Sequence, residues 1–313
     1  MKKYGFGVDV GGTTCKLGLF ETNGTLLDKW EIPTNTENNG ESIPKDIVAA
    51  VHNKMVEKGL TKDDVEGIGM GLPGAVSEDG VVNKCVNLGW GVVPIVAQME
   101  ELSGLKVRAA NDANIAALGE AWMGAGKGCH SVVMVTLGTG IGGGIVLNNR
   151  ILTGFNGAAG EIGHIVVNED EILQCNCGNH GCIEQYASAT GIVMMAHRHL
   201  DRSGKPSALR DMGDFSAKDV FDQAKAGDEL AKEVVHQVCY LLGKMIATVC
   251  NVVNPEVVLI GGGVSKAGQI IIDEIKEGFE VGIFHACANT KITLATLGND
   301  AGIYGGVGLI IHE

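Results

Sequence analysis

CNCGNHGC, positions 175 to 182, places three cysteines and a histidine within eight residues. Thiolate sulfur and imidazole nitrogen are the donors zinc prefers, and a structural zinc takes four of them in a tetrahedron. Cys175, Cys177 and Cys182 supply three. Two histidines compete for the fourth place: His180 inside the loop and His164 eleven residues upstream of Cys175, in GEIGH. Four protein ligands leave no open position for water, so such a zinc shapes a loop rather than acting as a Lewis acid. Glu161 stands three residues before His164, and Glu184 two residues after Cys182. A zinc-pinned loop would therefore hold two carboxylates in one place. Each alone reads as an ordinary surface charge; together beside a metal loop they read as hydrogen-bond acceptors for a polar ligand.

A second chemistry is written in glycine. Three glycine-rich turns follow apolar runs: Gly11-Gly12-Thr13-Thr14, then Gly138-Thr139-Gly140-Ile141-Gly142-Gly143-Gly144, then Gly261-Gly262-Gly263. Any one of them is an unremarkable turn. Three, two of them carrying threonine hydroxyls, fit a cradle in which backbone N–H groups wrap phosphate oxygens. Residues 138 to 143 satisfy G-x-G-x-x-G, but the pattern leads into IVLNN, another strand, so the dinucleotide reading fails. A P-loop fails too, because Gly128 follows Gly126-Lys127 and Ala121 stands at the first glycine position. Asp9, two residues before the first turn, suits Mg²⁺, which prefers carboxylate oxygen and water. Asp112 in NDAN has two readings. It is either a helix N-cap or a general base placed where a strand gives way to a helix.

These residues need a scaffold, and the pattern supplies one. YGFGVDV, CKLGLF and TLLDKWEI read as three strands joined by tight turns. The spacing of Ile43, Ile47, Val51 and Met55 predicts a helix over 43–58. GIGMGLPGAV is a strand entering a Pro-Gly turn, KVRAA is a short strand, and a helix opens at Asn111 or Asp112. Then SVVMVTL, GTGIGGG and IVLNNRIL repeat the three-strand opening over 131–152. Helices are expected over 184–199, 216–226 and 228–252, then a strand, glycine turn and helix from NPEVVLIGGGVS, a strand at 291–297 and a last helix at 300–312. Two βββ openings, each followed by helices, predict a duplicated α/β core. The expected lobes are 1–111 with 298–313, and 112–297 carrying the zinc loop.

Composition narrows the class. A chain of 313 residues, 45% apolar and 19% charged, can bury a large core. A net charge of −13 argues against nucleic acid or an anionic membrane as the main partner. No apolar run approaches the roughly 18 residues of a membrane span, and the N-terminus does not read as a secretory signal. Nine cysteines, an odd number in a chain too large to need staples, fit reduced thiols in a cytoplasm.

In this order VDVGGTTCKLGLF, LPGAV, NDANIAALGE, TLGTGIGGGIV and GEIGH…CNCGNHGCIEQYAS resemble the ROK family of sugar kinases, from about residue 5 to about residue 310. The resemblance implies an actin-like, ribonuclease-H-like (hexokinase-type) duplicated core in two lobes with a cleft between them. It implies ATP-dependent phosphorylation of a hexose, with glucose the best match and fructose or an N-acetylhexosamine as alternatives. Asp112 would be the general base, with Asn111, Gly74, Ala75, Asn87, Glu161, His164 and Glu184 around the sugar. Asp9, Gly11, Gly12, Thr13, Thr14, Gly138, Thr139, Gly140, Gly142, Gly262 and Gly263 would serve ATP and Mg²⁺. It assigns zinc to His164, Cys175, Cys177 and Cys182, and the shortness of the loop also weighs against His180. A homodimer or homotetramer is the implied assembly. A sugar-responsive regulator shares the fold; its helix-turn-helix domain has no counterpart ahead of the first strand at Tyr4, and the acidic charge disfavours DNA.

Overall fold

A computed structural model describes residues 1–312. Two five-stranded sheets carry the fold. The first has the order β3-β2-β1-β4-β5, formed by β1 (Tyr4–Val10), β2 (Thr14–Glu21), β3 (Leu26–Pro33), β4 (Val65–Leu72) and β5 (Val107–Asn111). The second has the order β10-β9-β6-β7-β8, formed by β6 (Ser131–Leu137), β7 (Ile141–Leu147), β8 (Arg150–Ile151), β9 (Val257–Gly261) and β10 (Lys291–Leu294). Read from its other edge, the second order is the first again. Each copy is a three-strand meander extended on its first strand by two more. The duplication expected from the repeated opening is therefore present in the topology.

The residues group into two compact units: Met1–Val132 with Gly144–Gly160 and the segment from Thr296 onward, and Val133–Gly143 with Glu161–Ala295. This division runs further along the chain than the boundary expected at Asn111. The reason is α4 (Asp112–Met123), which packs against α10 (Ala301–Ile311). A Cβ on Gly119 would lie 2.2 Å from the Ala301 carbonyl oxygen, and one on Gly305 would lie 1.7 Å from that of Ile115. Only glycine permits such an approach, and it binds α4 to the first unit.

In that unit, β1 pairs antiparallel with β2 and parallel with β4, so Asp9 lies across from Lys16. One core joins Phe6, Val8, Leu17, Leu19, Ile68 and Met70 to Ile43, Ile47 and Val51 of α2 (Ile43–Glu57), with Ile95 and Met99 of α3 (Ile95–Ser103). Before α2, a single turn, α1 (Glu37–Gly40), holds Asn38 and Asn39 left-handed. On its other side α10 lies directly on the strands, since Cβ atoms on Gly7 and Gly69 would meet the carbonyl oxygens of Ile303 and Gly306 at 1.9 and 1.8 Å.

The second unit holds α5 (Glu184–Ala187), α6 (Ala189–Arg202), α7 (Ala217–Ala226), α8 (Glu229–Val253) and α9 (Gln269–Gly282). The single helix expected over 184–199 is two. Ser188 adopts extended backbone between them and its hydroxyl caps α6 by accepting from the Gly191 amide. Among the described residues no helix is long and apolar enough to cross a membrane.

Candidate active site and metal loop

The four expected metal ligands converge. One donor atom from each of His164, Cys175, Cys177 and Cys182 lies within 4.8 Å of the others. His164 Nδ1 is 3.8 Å from Cys175 Sγ, and Cys177 Sγ is 3.6 Å from Cys182 Sγ. A tetrahedral zinc with Zn–S bonds of about 2.3 Å separates its sulfurs by about 3.8 Å. The cluster fits that ion. His180 is outside it, held by a bridge to Gln174 on the exposed part of the loop. Burial pushes the Cys182 thiol up to about 12 and raises Cys175, while backbone amides led by that of Asn179 lower Cys177. Three crowded sulfurs resist becoming thiolates together unless a cation neutralises them. Gly181 permits the fold of the loop: φ is +74°, and a Cβ there would lie 1.7 Å from the Asn168 carbonyl oxygen.

His164 turns its other nitrogen outward. Nε2 lies 4.0 Å from a carboxylate oxygen of exposed Glu161. Glu184 opens α5 directly after the loop; its Oε2 accepts from the Ile141 amide at 3.0 Å, and Oε1 lies 3.8 Å from Cys175 Sγ.

The segment between His164 and Cys175 has an anchor that the sequence did not reveal. Buried Glu171 accepts both Arg198 guanidinium nitrogens, at 2.7 and 2.9 Å, and the Tyr186 hydroxyl at 2.7 Å. Arg198 and Tyr186 hold the Glu171 carboxyl well below its ordinary 4.5, at about 2, against the opposing effect of burial. Breaking such a pair from one side strands the buried charge, so Arg198→Ala should destabilise the protein by about 3 kcal/mol in urea unfolding at pH 7. Because the folded value is depressed, the stabilisation is complete above about pH 4.5 and fades as pH falls toward 2. The stability gap between wild type and Glu171→Gln should close over that range; a gap constant down to pH 2 would contradict it.

Also in the second unit, a cavity of about 470 Å³ is lined by Gly138 and Thr139 from the β6–β7 turn and by Gly263 after β9. Val264, Phe221, Ala217 and Ala189 form its apolar walls, and Ser216, Lys218, Asp222 and Lys266 its polar ones. Gly262 adopts φ +84°, and a Cβ there would lie 2.5 Å from the Leu137 carbonyl oxygen. Two of the three glycine turns thus share one cavity with flat apolar walls and exposed backbone, a combination suited to a nucleotide. Gly142 lies inside β7 and, like Gly140 and Gly262, stands behind the residues that line the cavity. The α7 side of the cavity, Ser216, Ala217 and Phe221, carried no motif in the sequence.

The first unit gathers the remaining residues. Asn111, not Asp112, caps α4: its Oδ1 accepts from the amides of Ala113 and Asn114, while its Nδ2 donates to the Gly74 carbonyl at 3.1 Å. Gly74 sits at φ +122°, with the place of a Cβ only 2.6 Å from the Lys84 carbonyl oxygen. The Ala75 carbonyl accepts from the Asn83 amide, and exposed Asn87 packs beside Gly12. Relieved of capping, exposed Asp112 begins the helix, its Oδ1 accepting from the Ala113 amide at 2.7 Å.

Asp9 lies against Gly302 and Gly71 at the end of β1. Burial raises its carboxyl above the ordinary range and Asp112 adds to the rise, while Lys16 opposes it. Carboxylates that repel one another are a fitting place for a divalent cation. The first turn is tied from behind, where the Thr34 hydroxyl donates to the Gly11 carbonyl and the Thr34 amide to that of Thr13. That leaves Gly12 and Thr13 exposed at its tip.

The sequence profile described as the ROK family matches residues 5–313. A glucokinase of Halalkalibacterium halodurans is 46% identical over 98% of this chain and 94% of its own length. A solved ROK hexokinase from Thermus thermophilus, 30% identical, superposes with a TM-score of 0.82 and covers 98% of this chain and 97% of its own. A solved ROK family glucokinase from Streptomyces griseus, in complex with glucose and AMPPNP, is 32% identical with a TM-score of 0.76 and 98% coverage of both chains. With its duplicated α/β topology and matching motifs, the chain belongs to the ROK family.

Proposed function

We propose that the protein transfers the γ-phosphoryl group of ATP to a hexose, glucose first, giving glucose 6-phosphate and ADP. The observation that carries this reading is the 46% identity to a glucokinase across almost the whole of both chains. The glucose and AMPPNP bound to the Streptomyces griseus relative support the same pair of substrates.

Phosphoryl transfer needs in-line positioning, neutralised charge and a carboxylate on the nucleophile. Asp112 takes the proton from the sugar 6-hydroxyl as its oxygen bonds to the γ-phosphorus and the bond to ADP breaks. Asn111 holds the Gly74–Ala75 backbone against the cap of α4, and the family resemblance assigns these residues and Asn87 to the sugar. The same resemblance assigns Glu161, His164 Nε2 and Glu184 to sugar hydroxyls. The turn at Gly138–Gly140 and the Gly262–Gly263 backbone take the nucleotide, and the turn at Gly11–Thr14 is a further stretch of phosphate-binding backbone. Asp9 would hold Mg²⁺, which supplies charge neutralisation on the phosphates. Zinc on His164, Cys175, Cys177 and Cys182 would fix the loop without entering the reaction. A cytoplasmic homodimer or homotetramer agrees with the reduced cysteines and the family resemblance.

Measuring ADP release with Mg²⁺ across a panel of hexoses tests the sugar assignment. Glucose should exceed mannose, fructose and N-acetylglucosamine in kcat/KM, because a site that pairs each hydroxyl penalises an analogue that leaves a buried partner unpaired. A higher kcat/KM for another hexose would move the assignment to that sugar.

A further inference from the structure

Within the turn between β6 and β7, the Gly138 amide donates to the Gly140 carbonyl at 2.9 Å. Three further bonds tie it to residues that follow the metal loop. The Ala189 amide donates to the Gly138 carbonyl at 2.8 Å, and the Thr190 hydroxyl to the Thr139 carbonyl at 2.9 Å. Glu184 Oε2 accepts from the Ile141 amide at 3.0 Å, where the turn enters β7. A Cβ on Gly140 would lie 2.1 Å from that same oxygen, so the carboxylate occupies the space a side chain there would need.

We infer that Glu184 is a positioning residue for the nucleotide turn, in addition to any contact it makes with sugar. This rests on the reading of the cavity at Gly138, Thr139 and Gly263 as the nucleotide site. The backbone of Glu184 is set by the loop, two residues after Cys182, and its carboxylate lies between Cys175 Sγ and the turn. One side chain therefore ties the metal loop to the backbone that faces the cavity. If Glu184 also binds sugar, sugar and nucleotide each sense the other through it, and the coupling is reciprocal.

The test is the ADP dissociation constant, measured by calorimetry on the zinc-loaded protein without sugar, with zinc content checked for every variant. Glu184→Ala should weaken ADP about tenfold, the scale of one lost charge-assisted hydrogen bond, although residue 184 does not line the cavity. Glu184→Gln keeps an oxygen for the Ile141 amide and should bind ADP within about twofold of wild type. A role confined to sugar leaves sugar-free ADP binding unchanged in both variants; that result overturns the inference. Gly140→Ala supplies an independent arm, since it should displace the carboxylate and weaken ADP in the wild-type background. It should add little on top of Glu184→Ala, because both changes break the same contact. Full additivity would overturn the inference as well. If wild type itself binds no ADP, the nucleotide reading fails and the inference falls with it, an outcome distinct from equal binding by wild type and Glu184→Ala.

Discussion

Asp112→Asn should lower kcat by about 10²–10⁴, the usual contribution of a positioned general base, with glucose and ATP KM little changed. The structure separates this outcome from a folding defect. Asn111 takes the N-cap bonds of α4, and an asparagine oxygen at 112 can still accept from the Ala113 amide. Helix stability therefore survives while the proton acceptor is lost. The complementary variant Asn111→Ala should show the opposite pattern. It removes the cap and the bond to the Gly74 carbonyl, so stability falls by about 1 kcal/mol and glucose KM rises. Near-normal turnover by Asp112→Asn, at saturating glucose and ATP, would remove Asp112 from the chemistry.

Cys177→Ser should reduce zinc from about one per chain to almost none, and activity should be lost with it. A serine hydroxyl is a poor zinc donor, and a site with three remaining ligands binds far more weakly. The order of effects is specific. Glu161, His164 and Glu184 sit on or beside the loop, so glucose KM should rise at least tenfold as their placement loosens. ADP affinity should fall less, by no more than Glu184 transmits to the turn. His180→Ala should retain both zinc and glucose KM, because its ring lies outside the ligand cluster. Metal analysis of His180→Ala and His164→Ala side by side decides the ligand set. Zinc lost from the first and kept by the second would refute it.

Much of this was legible because local chemistry decided it. The meanders at 4–33 and 131–151 follow from alternating apolar runs and tight turns, and the C-x-C-x₄-C spacing marks the metal loop before any coordinates. The choice of His164 came from the family resemblance, and three-dimensional proximity then supplied its physical basis. What could not be read were features made by distant segments meeting. Gly144 looked like part of a phosphate turn. In fact a Cβ there would lie 2.5 Å from that of Ala117, so this glycine serves the approach of α4. Ser216 and Phe221 join the cavity only because α7 folds back beside the β6–β7 turn, and no motif announces such a meeting. Glu171 and Arg198, 27 residues apart in sequence, belong to no motif and meet only because the fold buries them as a pair. The grouping of α4 with the first unit has a similar origin, since the glycine contacts that fix α4 to α10 involve residues almost two hundred positions away.

The most direct test of phosphoryl transfer to glucose is to follow the phosphorus itself. Wild-type protein with ATP, Mg²⁺ and glucose should convert the γ-phosphate resonance in ³¹P NMR into that of glucose 6-phosphate, with one ADP formed per sugar phosphate, and Asp112→Asn should slow both signals together. Release of ADP with inorganic phosphate in place of a sugar phosphate, or no turnover with glucose while glucose binds, would contradict the account.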